Sequence, residues 1–511
     1  MSSHAVLTRG LAVAAALAAG VTVAVVPPRA SMGIIGALLA ALLVAFGRSA
    51  YARQGKFRAQ LRRDRRWAES ADSNSGETAG ADFRAGRLFY YAGILLLAVL
   101  TLRIGSQVTF SDTFFLLSFL LTCADIVILR RRVPVWVPGL LLVGIGLFSL
   151  GGIISTFGAS EPIKSGAVVA RLIVLTVLWF WLGAAVLTRR EHFRTAMRLW
   201  LLSAALTGAA GVLQLLAGDV IPNTDPVFGR STGFTGQPNE LGGITAVAFI
   251  PAIMMATREG LSGTQRVRSL SVLGLILGGL IASGSVGAFL AVATATFIWF
   301  ALQRASFNSW LVFAGIAVVV IGFTTVQELR GAPTPVDRLT RVTSPSATAA
   351  AAPGSGSIES RVSTYRVAAS RIADDPFVGV GLDLVSVTKP FGIVSYEYDV
   401  HNLVLGTWYK AGLVGLLGMM ITLFAVFRTG WLDLIRSSSE DEYREVAALM
   451  SAVVAFIVFS MSEPILFARY GWIGPALLLA LRAVQERRTT SSSPREVHAN
   501  RRSFSPSRHQ A

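Results

Sequence analysis

Apolar residues along this chain gather into runs of roughly 17–25 positions, each long enough as a helix to cross a bilayer core of about 30 Å. The runs open near residues 8, 32, 87, 110, 135, 166, 195, 240, 269, 285, 309, 403, 445 and 470. That pattern predicts an all-α, polytopic integral membrane protein of about fourteen transmembrane helices. The runs near 269 and 285 are joined only by Ser283-Gly284-Ser285-Val286-Gly287, so they read either as two spans or as one re-entrant hairpin. The first run leaves through VVPPRASMG, which lacks a small-x-small cleavage site and leads straight into the next run, so it reads as a span.

Basic residues in short loops set the orientation. With the N-terminus in the cytoplasm, Arg48 to Arg66, Arg130-Arg131-Arg132, Arg189-Arg190, Arg258 to Arg268, Arg428 to Arg444 and Arg487-Arg488 all fall inside. Both termini are then cytoplasmic. The chain divides into two N-terminal spans (1–47), a basic cytoplasmic loop (48–86) and a transmembrane core (87–325). A large extracytoplasmic loop containing short helices (326–402), C-terminal spans (403–486) and a cytoplasmic tail (487–511) follow. Residues 69–86 and the tail have the polar composition of disordered chain. No repeat of about 20–50 residues is visible.

Two outer stretches differ from ordinary connections. One is 218–239; the other is the 326–402 loop, long enough to be a functional suspect. Within it SPSATAAAAPGSGS (344–357) reads as a linker. The segment after it reads as an amphipathic helix with Ile358, Val362, Tyr365, Ala369 and Ile372 on one face, ended by Pro376.

Composition agrees with lipid as the solvent: 53% of residues are hydrophobic and 15% charged, against about a quarter charged in soluble domains. The net charge of +17 would suggest nucleic acid in a soluble protein; here the arginine-rich loops of a polytopic protein account for it. Cys123 is the only cysteine and lies inside an apolar run, so no intrachain disulfide forms.

Of five histidines, His4, His498 and His509 fall in terminal tails and His192 in an arginine-rich turn. Only His401 lies at the outer face, where Glu397 and Asp399 are close in sequence. It is either a proton-transfer group or a residue that caps the next helix. The outer loops also carry Arg230, Arg330, Arg338, Arg341, Arg361, Arg366 and Arg371. Their guanidinium forks suit phosphate oxygens, or a solvated basic face. Asp374-Asp375 has no second carboxylate or His cluster nearby and precedes Pro376, so it reads as a helix-end turn; no metal site is expected. Among ionisable residues in spans, Arg171 lies near an outer end. Lys410 sits about two turns beyond His401, where it snorkels, pairs with Glu240 or holds a phosphate.

Three stretches together resemble the O-antigen ligase and polymerase superfamily. GRSTGFTGQPNELGG (229–243) resembles its Arg-x-x-Gly-Phe, Pro-Asn signature. SRVSTYRVAASRIADDPFVGVGLD (360–383) resembles its Arg, aromatic, then Pro-x-x-Gly-x-Gly stretch. HNLVLGTWYKAGLVG (401–415) resembles its His-Asn followed by Gly-x-x-Gly. The resemblance covers about residues 166–480. It implies a membrane glycosyltransferase of the cytoplasmic (inner or plasma) membrane, acting in cell-surface polysaccharide assembly. A glycan would leave an undecaprenyl pyrophosphate carrier, with inversion, for an acceptor hydroxyl at the outer face. It carries pyrophosphate binding onto Arg230 and Arg361 and the base, or acceptor positioning, onto His401. Asn239, Asn402, Lys410, Arg366 and Arg171 are possible supporting residues. No metal or other cofactor is expected, and the expected partners are the lipid-linked donor, a polysaccharide, lipid or protein acceptor, and membrane lipids, with no nucleic acid. A transporter or flippase of lipid-linked saccharides is the alternative; it should gather its polar groups near the midplane. The chain departs from the family where Val286 stands in place of an Arg and Lys410 in place of a Glu, departures that a shifted charge arrangement, a different glycan or a lost activity would each explain.

Overall fold

The computed structural model describes residues 83–104, 108–128, 137–218, 230–303, 358–382, 386–388, 395–397, 400–463 and 468–491. The spans expected near residues 8, 32 and 309, the basic loop up to residue 82, the linker 344–357 and the terminal tails lie outside the described residues.

The helices are α1 (Arg84–Leu95), α2 (Phe110–Ile128), α3 (Gly139–Phe157), α4 (Pro162–Val186, with a π-helical turn at Val177–Leu182), α5 (Arg190–Ala217) and α6 (Pro238–Ala256). They continue as α7 (Gly263–Ser283), α8 (Val286–Gln303), α9 (Ile358–Asp374), α10 (Leu403–Arg436), α11 (Glu440–Ser460) and α12 (Arg469–Ser491). Among the described residues, 8 helices are long and apolar enough to cross a membrane: α2 to α7, α10 and α11. The mostly helical class is therefore as the apolar pattern predicts. Among the described residues, strand is confined to two small antiparallel ladders, Arg103–Ile104 with Val108–Thr109 and Ser386–Thr388 with Ser395–Glu397.

The span expected from residue 87 differs. Its helix, α1, has 12 residues, about 18 Å at the α-helical rise and so short of a bilayer core. The chain then runs irregularly, with Leu97, Ala98 and Leu100 buried. Its amides find partners inside the protein: Ala98 N donates to Ser203 Oγ at 3.0 Å, and Leu100 N and Thr101 N to Phe234 O at 3.0 and 3.1 Å. Non-helical backbone is tolerated at such depth when protein satisfies it, and hydropathy alone does not distinguish the two cases.

The pair near 269 and 285, expected as two spans or a re-entrant hairpin, is two helices, α7 of 21 residues and α8 of 18, of which α7 is among those long and apolar enough to cross a membrane. Gly284 turns the chain between them in the left-handed conformation (φ 55°, ψ 26°).

Helices α6 and α11 sit at the centre, with 83% of their apolar windows buried, whereas α2 has 22% and lies at the periphery. Helices α3 and α10 approach each other across glycines: a Cβ on Gly418 would strike the backbone of Phe148 and one on Gly151 the backbone of Gly415. Small residues permit such approaches between spans.

Candidate functional site

Charged side chains collect at the two opposite ends of the bundle. At one end Glu445 accepts from Arg190 Nη2 and Arg194 Nε, both at 2.8 Å, and Asp441 pairs with Arg258 at 2.6 Å. His192 lies at this end too, with Nδ1 3.2 Å from Arg87 Nη1. At the other end the loop before α6, the α7–α8 turn, α9, the start of α10 and the chain following α11 converge.

Glu463, just past the end of α11, is the hub of that second end. Its Oε1 accepts from Asn239 Nδ2 at 2.6 Å and from Arg361 Nη2 at 3.0 Å. Its Oε2 lies 3.4 Å from His401 Nδ1. Asn239 extends the network, because its Oδ1 accepts from Arg230 Nη2 at 2.6 Å, while Arg230 Nε donates to Ser283 O at 2.7 Å. Two arginines about 130 residues apart in sequence thus meet through one amide and one carboxylate. Glu463 keeps 10% side-chain exposure, against 27% for Arg361 and 29% for His401. The carboxylate is therefore the floor of the site, and the guanidinium and imidazole form its rim.

The motifs build this geometry locally. Asn239 lies in the first turn of α6, after Pro238 at the start of the helix, where a missing N–H has no cost. Helix α9 buries Thr364, Ala368 and Ile372, so its inner face is rotated slightly from the expected stripe: Ala369 is exposed and Ala368 takes its place. The same face carries Arg361 and Tyr365 inward, and Tyr365 OH donates to His401 O at 2.5 Å. Burial holds the Tyr365 phenol above its ordinary pKa; Arg361 opposes that shift and Glu463 adds to it. The hydroxyl stays protonated as a donor.

After α9, Asp375 Oδ1 accepts from Phe377 N and Val378 N at 3.2 and 3.1 Å, an Asx turn. The Pro376–Gly381 segment then enters an opening in α10. There Gly412 leaves helical geometry (φ 66°, ψ −175°), and Val380 N and Gly381 N donate to the freed carbonyls of Tyr409 and Lys410, each at 3.0 Å. Leu413 N and Trp408 Nε1 both donate to Pro376 O, at 3.0 and 2.9 Å. A Cβ on Gly379 would overlap the Lys410 carbonyl, so this docking requires glycine. It fixes α9 to the first turns of α10 and hence Arg361 to His401.

Of the sequence-derived candidates, Arg230, Arg361, His401 and Asn239 come together. Asn402 is adjacent, and its Oδ1 caps α10 by accepting from Leu405 N at 2.9 Å. Lys410 is buried in α10. Arg366 is exposed on the outer side of α9, away from the arginine beside Glu463, and Arg171 is half-buried on α4. Val286 begins α8 beside the turn whose Ser283 carbonyl holds Arg230. The side chains of Glu397 and Asp399 lie outside the described residues. Among the described residues no three His, Cys, Asp or Glu gather as metal ligands do. Glu463 is the residue that the sequence reading missed. Its only signal is an acidic side chain directly after a long apolar run, in Met461-Ser462-Glu463-Pro464.

Residues 271–420 match the model of the O-antigen ligase family. The matched stretch contains Arg361, the Pro376–Gly381 segment and His401, and so supports the O-antigen ligase and polymerase superfamily. It also supports glycan transfer of that general kind at a membrane, with a lipid-linked glycan and an acceptor as the general partners. Arg230, Asn239 and Glu463 fall outside it and join the site through the hydrogen bonds above. No curated protein matches the chain.

Proposed function

We propose that this protein transfers or polymerises a glycan from an undecaprenyl pyrophosphate carrier onto an acceptor hydroxyl at the outer face of the cytoplasmic membrane. The observation that carries the reading is the convergence of Arg230, Arg361 and His401 around one carboxylate at one end of the bundle. That end lies opposite the arginine-rich one, which short basic loops assign to the cytoplasm.

The chemistry follows from the groups present. His401 Nδ1 is buried while the ring keeps part of its surface open, so the accessible edge carries Nε2. That nitrogen takes the acceptor's hydroxyl proton as the oxygen bonds to the anomeric carbon. The bond from that carbon to the pyrophosphate breaks on the opposite face, inverting the centre, and the electron pair leaves with the pyrophosphate oxygen. Arg230 and Arg361 stabilise the charge that develops there; fixed donors of this kind are each worth roughly 10²–10³ in turnover. Arginine charge replaces a metal in this scheme.

Incubation of the purified protein with an undecaprenyl pyrophosphate-linked oligosaccharide and an acceptor glycan tests it. The expected result is free undecaprenyl pyrophosphate, a new glycosidic bond and full activity in excess chelator. Intact carrier moved across a vesicle bilayer without cleavage would instead make the protein a flippase. Loss of activity in chelator, restored by magnesium, would bring a metal into the mechanism.

A further inference from the structure

Glu463 is asked to do two things with one carboxylate. Its Oε1 accepts from both Arg361 and Asn239. Its Oε2 lies 3.4 Å from His401 Nδ1, yet that nitrogen is buried and makes no hydrogen bond among the described residues. Arg361 Nε is buried in the same condition. The site therefore has more inward-facing donor positions than Glu463 satisfies, and the surplus lies on the arginine and the imidazole.

A pyrophosphate supplies the acceptors that this arrangement lacks. Its oxygens can take the whole fork of Arg361, Nε together with Nη2, which one carboxylate oxygen does not. Once Arg361 turns to phosphate, Glu463 loses a partner and gains a like-charged neighbour. The donor beside it that needs an acceptor is His401 Nδ1. We infer that Glu463 is a positioning residue which the donor's pyrophosphate displaces from Arg361 onto His401, so that the base is set for proton transfer by the arrival of the donor.

This inference rests on the reaction proposed above and adds its order. With Nδ1–H donating to Glu463, the lone pair of the imidazole lies on Nε2, the accessible nitrogen. A carboxylate in that place holds the ring's tautomer and orientation and stabilises the imidazolium formed when the acceptor's proton arrives. The proton then passes to solvent, and Glu463 returns to Arg361 when the pyrophosphate departs. Acceptor hydroxyls are thereby protected from activation at a site without donor, and water is subject to the same restriction.

The test uses the full-length protein with Glu463→Gln, Glu463→Asp and His401→Ala, and inorganic pyrophosphate as a binding probe read by calorimetry. Glu463→Gln removes the competing anion while keeping the shape. It should bind pyrophosphate several-fold tighter than wild type, yet lose kcat by roughly 10²-fold with the donor's KM unchanged or lowered. In the His401→Ala background it should cost little more, because both changes remove one function. Glu463→Asp, which keeps a carboxylate, should recover part of kcat. Weaker pyrophosphate binding with a raised KM would reduce Glu463 to a brace for Arg361 and overturn the inference, as would unchanged kcat or multiplied losses in the double variant. If wild type itself transfers nothing from lipid-linked donors, the proposed function fails on that ground. The calorimetric comparison still decides the exchange: tighter binding by Glu463→Gln supports it, and equal or weaker binding overturns it.

Discussion

His401 is held through its backbone by Tyr365 and through the cap that Asn402 places on the next helix, which leaves the ring free to act at a fixed position. His401→Ala should therefore remove turnover, on the order of 10²–10⁴-fold, without unfolding the protein. Transfer assays at matched membrane expression check this, and unchanged turnover would leave the acceptor needing no base. Arg230 and Arg361 make a second prediction. Each presents a planar fork, and an ammonium keeps the charge but not the two parallel bonds. Arg230→Lys and Arg361→Lys should each cut transfer sharply, and the pair together less than the product of the two, because both act on one ligand. Near-normal transfer by both variants would make these arginines headgroup contacts only. That Arg230, Arg361 and His401 come together was legible because motif spacing and one expected face of the membrane grouped them. Glu463 was not: one carboxylate after an apolar run carries no spacing, and only the fold brings it to Asn239, more than two hundred residues earlier.

At the scale of elements, the site depends on how α9 is fastened to α10. The Pro-x-x-Gly-x-Gly stretch reads in sequence as a turn, and it is one. The sequence does not reveal that α10 is opened to receive it, since Leu403–Arg436 is apolar enough to pass for a single uninterrupted helix. The opening requires Gly412 twice over. Its φ and ψ fall in a region open essentially to glycine alone, and a Cβ there would overlap the Phe377 carbonyl. Gly412→Ala should cost about 1–3 kcal/mol in backbone strain alone, with the overlap in addition, and should loosen Arg361 from His401. Gly274→Ala on α7 is the control, because its Cβ would meet nothing within 4 Å and alanine favours helix by about 1 kcal/mol. Thermal unfolding in detergent should separate the two variants in opposite directions. A Gly412→Ala protein as stable and active as wild type would show that the docked segment does not position the site.

Across the whole molecule, the two polar ends have different chemistry. One is bound by arginine pairs with Glu445 and Asp441, and the other gathers the residues proposed for transfer around Glu463. Alternating apolar runs and basic loops made this polarity readable from sequence, because period and charge survive any detail of packing. The break after α1 was not readable, because buried irregular chain is as apolar as helix. The orientation is open to a direct check. Ser370 is exposed on α9 beside the site, and Ser438 is exposed between α10 and α11 at the arginine-rich end. In a Cys123→Ser background, Ser370→Cys and Ser438→Cys each give the chain one thiol. A membrane-impermeant maleimide applied to intact cells should label Ser370→Cys, and should reach Ser438→Cys only after the membrane is opened. The basis is electrostatic and independent of the family match: short loops rich in arginine favour the cytoplasmic side, so the end that holds His401 is expected to face outward. Labelling in the reverse order would place Arg230, Arg361 and His401 in the cytoplasm, out of reach of any exported acceptor, and the transfer proposed for them would have to be abandoned.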